Sequence, residues 1–146
     1  HNLGAVVRTA VAFEVAGVII AGPSAPPLGG AAARAAAGLL GRMPLVRVTV
    51  AADALANLRA EGYWALGADS RGTRAADVTA IDRWVLCVGA EDRGLRAKTR
   101  SAVDEFIRIP IADDVESLNL SVATGILLYH LCHVWPKADE QSADPS

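Results

Sequence analysis

Aromatic residues make up only 5% of the 146 residues, so surfaces on which nucleobases could stack are scarce. An excess of positive charge is also lacking, because the formal net charge is -2. This balance argues against a free-standing basic nucleic-acid binder, whose affinity comes from Lys and Arg clusters that neutralise phosphates. An RNA partner would therefore require a local arginine cluster, a second subunit or a further domain.

Cysteine is scarce, and the two residues present, Cys87 and Cys132, lie in a predicted strand and a predicted helix. A disulfide scaffold is not indicated, and we expect two reduced thiols in a cytoplasmic protein. The apolar stretch 3–21 contains Arg8 and Glu14 and changes its period, which argues against a membrane-spanning helix or a secretory signal. We therefore expect neither a membrane partner nor export.

Motifs of the usual nucleotide-binding folds are lacking as well. No glycine-rich dinucleotide fingerprint follows a predicted strand, and no phosphate-binding loop ends in Lys and then Ser or Thr. His130 and His133 lie about one turn apart on a predicted helix, but no further His or Cys completes a set of metal ligands. We expect no metal site and interpret both histidines as surface or packing residues.

What is present is a large apolar fraction, 52% of the residues, in a chain of one-domain length. The apolar periodicity switches repeatedly between helical and extended, which predicts an α/β fold with a mostly parallel sheet and helices on both faces. The predicted helices are residues 3–15, 31–40, 53–61 and 118–134, and the predicted strands are residues 17–21, 45–50, 63–68, 84–88 and 106–109. The predicted irregular segments are a Pro/Gly-rich loop over 23–30, a polar connection over 70–82 and a disordered tail over 137–146.

Three segments could carry chemistry, and ligands of open α/β sheets bind beyond the carboxyl ends of the strands. In the first segment, Asn2 stands at the start of a predicted helix that carries Arg8 nearly two turns further on. Taken alone, this segment is better explained as an ordinary helix cap followed by a solvent-facing arginine.

The second segment runs from a buried strand into a turn flanked by Gly89 and Gly94. Gly89 permits a close backbone approach to a ligand, and Glu91 directly follows the strand, where a carboxylate usually has a partner. A solvated turn is about as good an explanation of this segment alone.

The third segment places Ser117, Asn119 and Ser121 at the start of the long predicted helix. A helix cap explains one small polar residue well, but it explains three less well. Together they could offer donors and acceptors to a polar ligand.

Taken in order, HNLGAVVRTA, VLCVGAEDRGLR and IPIADDVESLNLSVATGILLYH resemble the three motifs of the SpoU-type RNA ribose 2'-O-methyltransferases, members of the SPOUT superfamily. PLVRVT, between the first two motifs, resembles the central strand of that family. The resemblance covers nearly the whole chain, and it is strongest to the branch that methylates a guanosine of large-subunit ribosomal RNA. Related members modify transfer RNA.

The resemblance implies an α/β domain with a deep trefoil knot at its C-terminal side, which works as a homodimer. It also implies S-adenosylmethionine as the cofactor, bent in a pocket of the knotted loops. The implied cofactor-binding positions are Gly89, Ile109 and Leu118. The implied catalytic positions are Asn2, Arg8, Glu91, Ser117 and Asn119.

Methyl transfer is an in-line displacement, so the enzyme has to align the ribose hydroxyl and help to remove its proton. The resemblance implies that Arg8 activates this hydroxyl, and action across the dimer interface is part of the same expectation. Since a guanidinium is normally protonated, Arg8 could instead bind the adjacent phosphate and polarise the hydroxyl. Glu91 would orient Arg8 or Asn2, while Ser117 and Asn119 would shape the pocket.

The sequence also departs from the family pattern. The Asp-Pro and the strand that precede the first motif in relatives are not found, and Asp92 stands where many relatives have Gly. We expect residues 1–136 to form a catalytic domain without its first strand and without an N-terminal RNA-binding domain.

Three functions are compatible with the sequence. The leading one is S-adenosylmethionine-dependent methylation of a ribose of ribosomal or transfer RNA in the cytoplasm. The second is a non-catalytic RNA-binding or assembly module with the same fold, although such a module need not retain the full polar set. The third is a small-molecule-binding domain of flavodoxin type, which leaves the serine and asparagine turn unexplained.

Overall fold

The structure, a computed structural model, describes residues 2–22 and 43–137. In chain order its elements are α1 (Asn2–Ala12), β1 (Val18–Ala21), β2 (Leu45–Val48), α2 (Ala51–Ala60), β3 (Trp64–Arg74), β4 (Trp84–Cys87), α3 (Ala97–Ala102), β5 (Glu105–Arg108) and α4 (Leu120–Tyr129). A short 3-10 helix (Ala75–Asp77) follows β3, and a π-helical turn (His130–Val134) continues α4. The predicted loop 23–30, the predicted helix 31–40 and all but the first residue of the predicted tail lie outside the described residues.

The strands pair in parallel, as the alternation of helices and strands predicts. β1 pairs with β2, and β3 lies between β4 and β5. Within the described residues the strands thus form two ladders rather than one continuous sheet. The fold class is α/β, in agreement with the prediction.

Helix α1 packs on both ladders. Its residues Val7 and Val11 form a buried cluster with Leu128 of α4. Leu45 of β2 and Trp84 of β4 pack against the same cluster. One helix therefore joins the apolar surfaces of the two ladders, and burial of these side chains stabilises their relative placement.

Helices cover both faces of the β4-β3-β5 ladder. Leu127 of α4 belongs to a buried cluster with Leu66 and Ile107. On the opposite face, the guanidinium of Arg100 from α3 lies 4.5 Å from the centre of the Phe106 ring. Because neighbouring residues of a strand point to opposite faces, Ile107 and Phe106 mark the two covered faces.

The prediction for β3 was wrong in length, because the strand was expected to end at Ala68 and to be followed by the polar connection 70–82. The structure continues β3 to Arg74, with a shift of register that leaves residues 69–72 as a bulge beside Ile107. A bulge breaks the two-residue alternation of a strand, so the polar residues in it gave no strand signal.

The limits of several helices also differ from the prediction. α1 ends at Ala12 rather than at residue 15, because Glu14 adopts a left-handed φ of 57° that stops the helix. α3 was not predicted, since its six residues include no buried side chain and therefore show no apolar periodicity. Regular α4 begins at Leu120, and the predicted remainder up to Val134 is the π-helical turn.

The two histidines of this last turn pack against aromatic rings. The His133 ring lies 5.5 Å from the ring of Phe13, and the His130 ring lies 6.0 Å from the ring of Trp135. This agrees with their interpretation as packing residues. In the described parts of the chain, no helix has the length and apolar character needed to cross a membrane.

The bulge in β3 requires glycine at position 72. A Cβ atom at Gly72 would lie 2.6 Å from the carbonyl carbon of Phe106 and 2.7 Å from the nitrogen of Ile107. We expect Gly72→Ala to lower the free energy of unfolding by about 1–3 kcal/mol, because the added atom overlaps main-chain atoms of β5. Urea denaturation followed by circular dichroism measures this change.

Gly125→Ala is the matched control. A Cβ atom there would meet only Thr9 Cγ2, at 3.6 Å, which is an ordinary contact. Alanine favours the interior of a helix over glycine by roughly 0.5–1 kcal/mol, so this variant should be at least as stable as wild type. Wild-type stability of Gly72→Ala would contradict the bulge.

Candidate functional site

The turn after β4 folds back tightly on the end of that strand. The Gly94 N–H donates to the Ala90 carbonyl at 2.8 Å, and Gly94 has a φ of 64°. A Cβ atom at Gly89 would lie 2.0 Å from the carbonyl carbon of Gly94, so only glycine fits there. The close approach that Gly89 permits is therefore made, within this chain, by the backbone of its own turn.

The Glu91 carboxylate links this turn to the start of α4. Its Oε1 atom accepts a hydrogen bond from Asn119 Nδ2 at 3.1 Å and another from the Leu120 N–H at 3.2 Å. The prediction that Glu91 has a partner is therefore met. A carboxylate at a helix N-terminus is also favoured by the helix dipole.

Asn119 caps α4 and is held in one orientation. Its Oδ1 atom accepts from the Ser121 hydroxyl at 2.6 Å, from the Ser121 N–H at 3.0 Å and from the Val122 N–H at 3.3 Å. Because Oδ1 faces these donors, the amide group of Asn119 directs Nδ2 to Glu91. The helix-cap prediction is thus confirmed for Asn119, whereas the polar ligand predicted for this segment stays a prediction.

Two of the remaining predicted catalytic residues, Arg8 and Ser117, are not joined to this pair. Arg8 is exposed on α1, of which Asn2 is the first residue. Ser117 is exposed in the loop before α4. Among the described residues, the side chains of Arg8 and Ser117 make no hydrogen bond or ion pair, so of Arg8, Glu91, Ser117 and Asn119 one protomer joins only Glu91 and Asn119.

A cavity of about 190 Å³ lies between the β3 bulge and the loop that follows β5. Of the predicted cofactor-binding residues, Ile109 lines it, whereas Gly89 and Leu118 do not. The wall combines apolar side chains with two carboxylates and one arginine. Its residues are Ser70, Arg108, Ile109, Ile111, Ala112, Asp113, Val115 and Glu116.

Sequence reasoning missed Ser70 and Arg108 as cavity residues. Ser70 fell within the predicted polar connection, and Arg108 fell within a predicted strand, where a single charge carries no signal. A larger cavity of about 300 Å³ lies at the other end of β4, beside Trp84 and Trp135. It contains none of the predicted site residues, so the smaller cavity is the better candidate.

The Asp69 carboxylate braces the bulge next to the cavity. Its Oδ1 accepts from the Arg71 N–H at 2.8 Å, and its Oδ2 accepts from Arg100 Nη1 at 2.6 Å. The Arg71 N–H and the Arg100 guanidinium hold the pKa of Asp69 below its usual value of 3.8, although burial opposes this shift. Asp69 is therefore ionised at neutral pH and holds both arginines in place.

The cysteines do not contribute a nucleophile. Burial, aided by the Asp104 carboxylate, raises the pKa of the Cys87 thiol to about 11. Burial also raises the pKa of Cys132. Both thiols are thus protonated at neutral pH. Among residues 2–22 and 43–137, no group of three or more His, Cys, Asp or Glu side chains could hold a metal ion.

Comparison with known proteins places this geometry in a family context. A sequence model described as the SpoU rRNA Methylase family matches residues 1–129. A protein of Staphylococcus haemolyticus assigned to the TrmH family of tRNA/rRNA methyltransferases is 35% identical over 132 residues, or 90% of this chain and 53% of that protein. The chain spans about half the length of the curated relatives it matches.

Two solved structures are similar to the whole described fold. The SpoU methyltransferase AviRb from Streptomyces viridochromogenes, in complex with AdoMet, matches with a TM-score of 0.84 at 27% identity, covering 91% of this chain and 55% of that one. The TrmH/SpoU tRNA modifying enzyme of A. aeolicus matches with a TM-score of 0.80 at 25% identity, covering 97% of this chain and 71% of that one.

The position of Glu91 predicts a difference between two substitutions. Glu91→Gln keeps a side-chain oxygen that can accept from Asn119 and Leu120, so it should leave the unfolding free energy almost unchanged. Glu91→Ala removes the acceptor from the first turn of α4 and should lower that free energy by about 0.5–2 kcal/mol. Denaturant unfolding of both variants tests this, and equal stability of Glu91→Ala and wild type would contradict it.

Proposed function

Because the chain belongs to the SpoU rRNA Methylase family, we propose that it transfers a methyl group from S-adenosylmethionine to a ribose 2'-hydroxyl of RNA. The observation that carries the proposal is the bond from Asn119 to Glu91, which unites the second and third motifs beside the cavity. A non-catalytic module would have no need of this link together with a retained Arg8. The proposed substrate is a guanosine of large-subunit ribosomal RNA, and the activity belongs to the cytoplasm.

The residues around the cavity fit S-adenosylmethionine. Ile109, Ile111 and Val115 offer apolar contact to an adenosine group, and the Asp113 and Glu116 carboxylates complement the positive charges of the cofactor. Gly89, in the turn after β4, and Leu118, in the loop before α4, do not line this cavity, and we assign them to the cofactor from the family resemblance. The AdoMet complex of AviRb, with the same fold, supports this assignment. When bound, the cofactor supplies the methyl group of its sulfonium, whose sulfur leaves with the bonding electron pair.

The protein's own residues then position the ribose. We assign Arg8 to the phosphate next to the reacting ribose, where its permanent charge polarises the 2'-hydroxyl and favours loss of the proton. Glu91 holds Asn119 and the turn after β4 in place. We assign Ser117 to a contact with the ribose or the cofactor. We assign Asn2, the first residue of α1 and part of the first motif, to the same site.

Formation of a homodimer is part of the proposal. Val122, Ile126 and Tyr129 form an exposed apolar stripe on α4, with 51%, 43% and 54% of their surfaces exposed. They recur at the spacing of one helix face, and such a patch is typical of an interface. Phe13, directly after α1, lies beside this stripe, with its ring 6.0 Å from that of Tyr129. A partner seated here would bring its own Arg8 towards the site, which accounts for the lack of an Arg8 contact within one protomer.

A further feature of the fold is proposed, the trefoil knot that the resemblance implies at the C-terminal side. The segment between β4 and α4 would form it, where the turn at Gly89 packs on Gly94 and Asn119 bonds to Glu91.

The catalytic assignment predicts separate effects on binding and transfer. Arg8→Ala should lower methyl transfer by about 100-fold or more, as expected for loss of a group that assists proton removal. The affinity for S-adenosylmethionine, measured by calorimetric titration, should stay within about twofold of wild type, because Arg8 contacts RNA and not the cofactor. Transfer of labelled methyl groups to unmodified transcripts of large-subunit ribosomal RNA and of transfer RNA, followed by nucleoside analysis, measures the activity.

Arg83→Ala is the matched control, since Arg83 bonds to the Glu61 carbonyl away from the site and should keep full transfer. Full activity of a folded Arg8→Ala protein would refute the mechanism. Methylation of transfer RNA alone would correct the substrate, and RNA binding without any transfer by wild type would favour the assembly module.

The dimer predicts complementation between inactive variants. Mixing Arg8→Ala with Glu91→Ala protein should restore about a quarter of the wild-type sites, because half of the dimers are mixed and each has one intact site. Ile126→Glu should give a monomer by light scattering and should lose transfer. A fully active monomer would contradict the shared site.

A further inference from the structure

Two arginines lie side by side where β3 and β5 end. Arg74 and Arg108 are register partners in the parallel ladder, so their side chains leave the sheet on the same face. Like charges on directly opposite residues destabilise a sheet unless an anion lies between them. Arg74 has only the distant, exposed carboxylate of Asp77 at 3.9 Å. In the described parts of the chain, the Arg108 side chain makes no ion pair or hydrogen bond.

A third arginine stands at the same end of the ladder. Arg71 lies in the β3 bulge, and 81% of its side chain is exposed. Its neighbour Ser70 lines the cavity together with Arg108, so the bulge and the end of β5 border the same space. Asp69 Oδ1 accepts from the Arg71 N–H at 2.8 Å and also forms a longer ion pair with Arg71 Nε at 3.4 Å.

On the bulge side two carboxylates, Asp69 and Asp77, pair with three arginines, which are Arg71, Arg74 and Arg100. Asp69 is engaged by Arg100 at 2.6 Å, and Asp77 is the only acid opposite Arg74 among the described contacts. The other acids of the cavity, Asp113 and Glu116, belong to the loop after β5. The cavity wall thus contains one arginine, Arg108, together with these two acids, and Arg74 lies beside Arg108 in the ladder.

We infer that Arg71, Arg74 and Arg108, here termed the arginine cluster, bind the phosphate backbone of the substrate RNA beside the cofactor cavity. Guanidinium groups match phosphate oxygens with paired hydrogen bonds, and a phosphate between Arg74 and Arg108 relieves their repulsion. The cluster is local in a chain whose net charge is -2. The inference rests on the proposed function, because it takes RNA as the substrate.

The test is RNA affinity as a function of salt. A fluorescein-labelled RNA hairpin is titrated with Arg74→Gln, Arg108→Gln and the double variant, and binding is followed by fluorescence anisotropy. Each single change should weaken binding by about tenfold and lower the slope of log affinity against log salt by about one, as expected for a lost phosphate contact. Neither change should lower the melting temperature, because the two like charges repel each other in the free protein.

Arg83→Gln is the control, because it removes one positive charge just before the start of β4, away from the arginine cluster. It should keep the wild-type RNA affinity and the wild-type slope of log affinity against log salt. Equal behaviour of Arg108→Gln and Arg83→Gln would overturn the inference. So would a loss of S-adenosylmethionine affinity at unchanged RNA affinity, since the arginines would then hold the cofactor carboxylate. Failure of the proposed function can be told apart from failure of this inference. If wild type neither binds the cofactor nor transfers methyl groups, the proposed function is wrong, while the RNA affinities of these variants can still be measured.

Discussion

One carboxylate oxygen holds the candidate site together. Glu91 Oε1 receives both the Asn119 amide and the Leu120 N–H, so it joins the turn after β4 to the first turn of α4. The cap made by Asn119 depends on the same arrangement, since its Oδ1 is occupied by Ser121 and Val122. The start of α4 and the turn after β4 are therefore fixed relative to each other by a few polar contacts at the edge of the sheet.

These two hydrogen bonds indicate a structural role for Glu91. A carboxylate that accepts two hydrogen bonds from the neighbouring helix is a positioning group rather than a base that takes a proton from substrate. The same reasoning applies to Asn119, whose amide is committed to Glu91 and to its own helix. In the proposed reaction, removal of the ribose proton would then fall to groups outside this pair, such as the proposed Arg8 of a second subunit.

Much of the fold could be predicted from the sequence because apolar periodicity records burial. The short apolar strands β1, β2, β4 and β5 were predicted within a few residues. The end of β3 was missed because the polar residues of the bulge interrupt the alternation of apolar and polar residues that predicts a strand. Helix α3 was missed because it buries no side chain. In the site, Glu91 was singled out as a carboxylate that follows a strand and Asn119 as a helix cap, while their catalytic assignment came from the family resemblance. The pairing of Arg74 with Arg108 could not be predicted, because register across strands distant in sequence has no local signal.

The parallel ladders have a consequence for how the chain folds. Each pair joins segments separated by a helix or a long connection, as when Leu66 of β3 pairs with Glu105 of β5. Such contacts are remote in sequence, so the entropy cost of closing a large loop comes before any stabilising ladder hydrogen bond forms. Ile107 of β5 is the register partner of β3 residues on both sides of the bulge. The two parts of β3 are therefore joined through β5 only after β5 has docked. The docking of β5 therefore belongs to the slow, cooperative part of folding, and the edge of β3 is exposed to wrong pairing until it occurs.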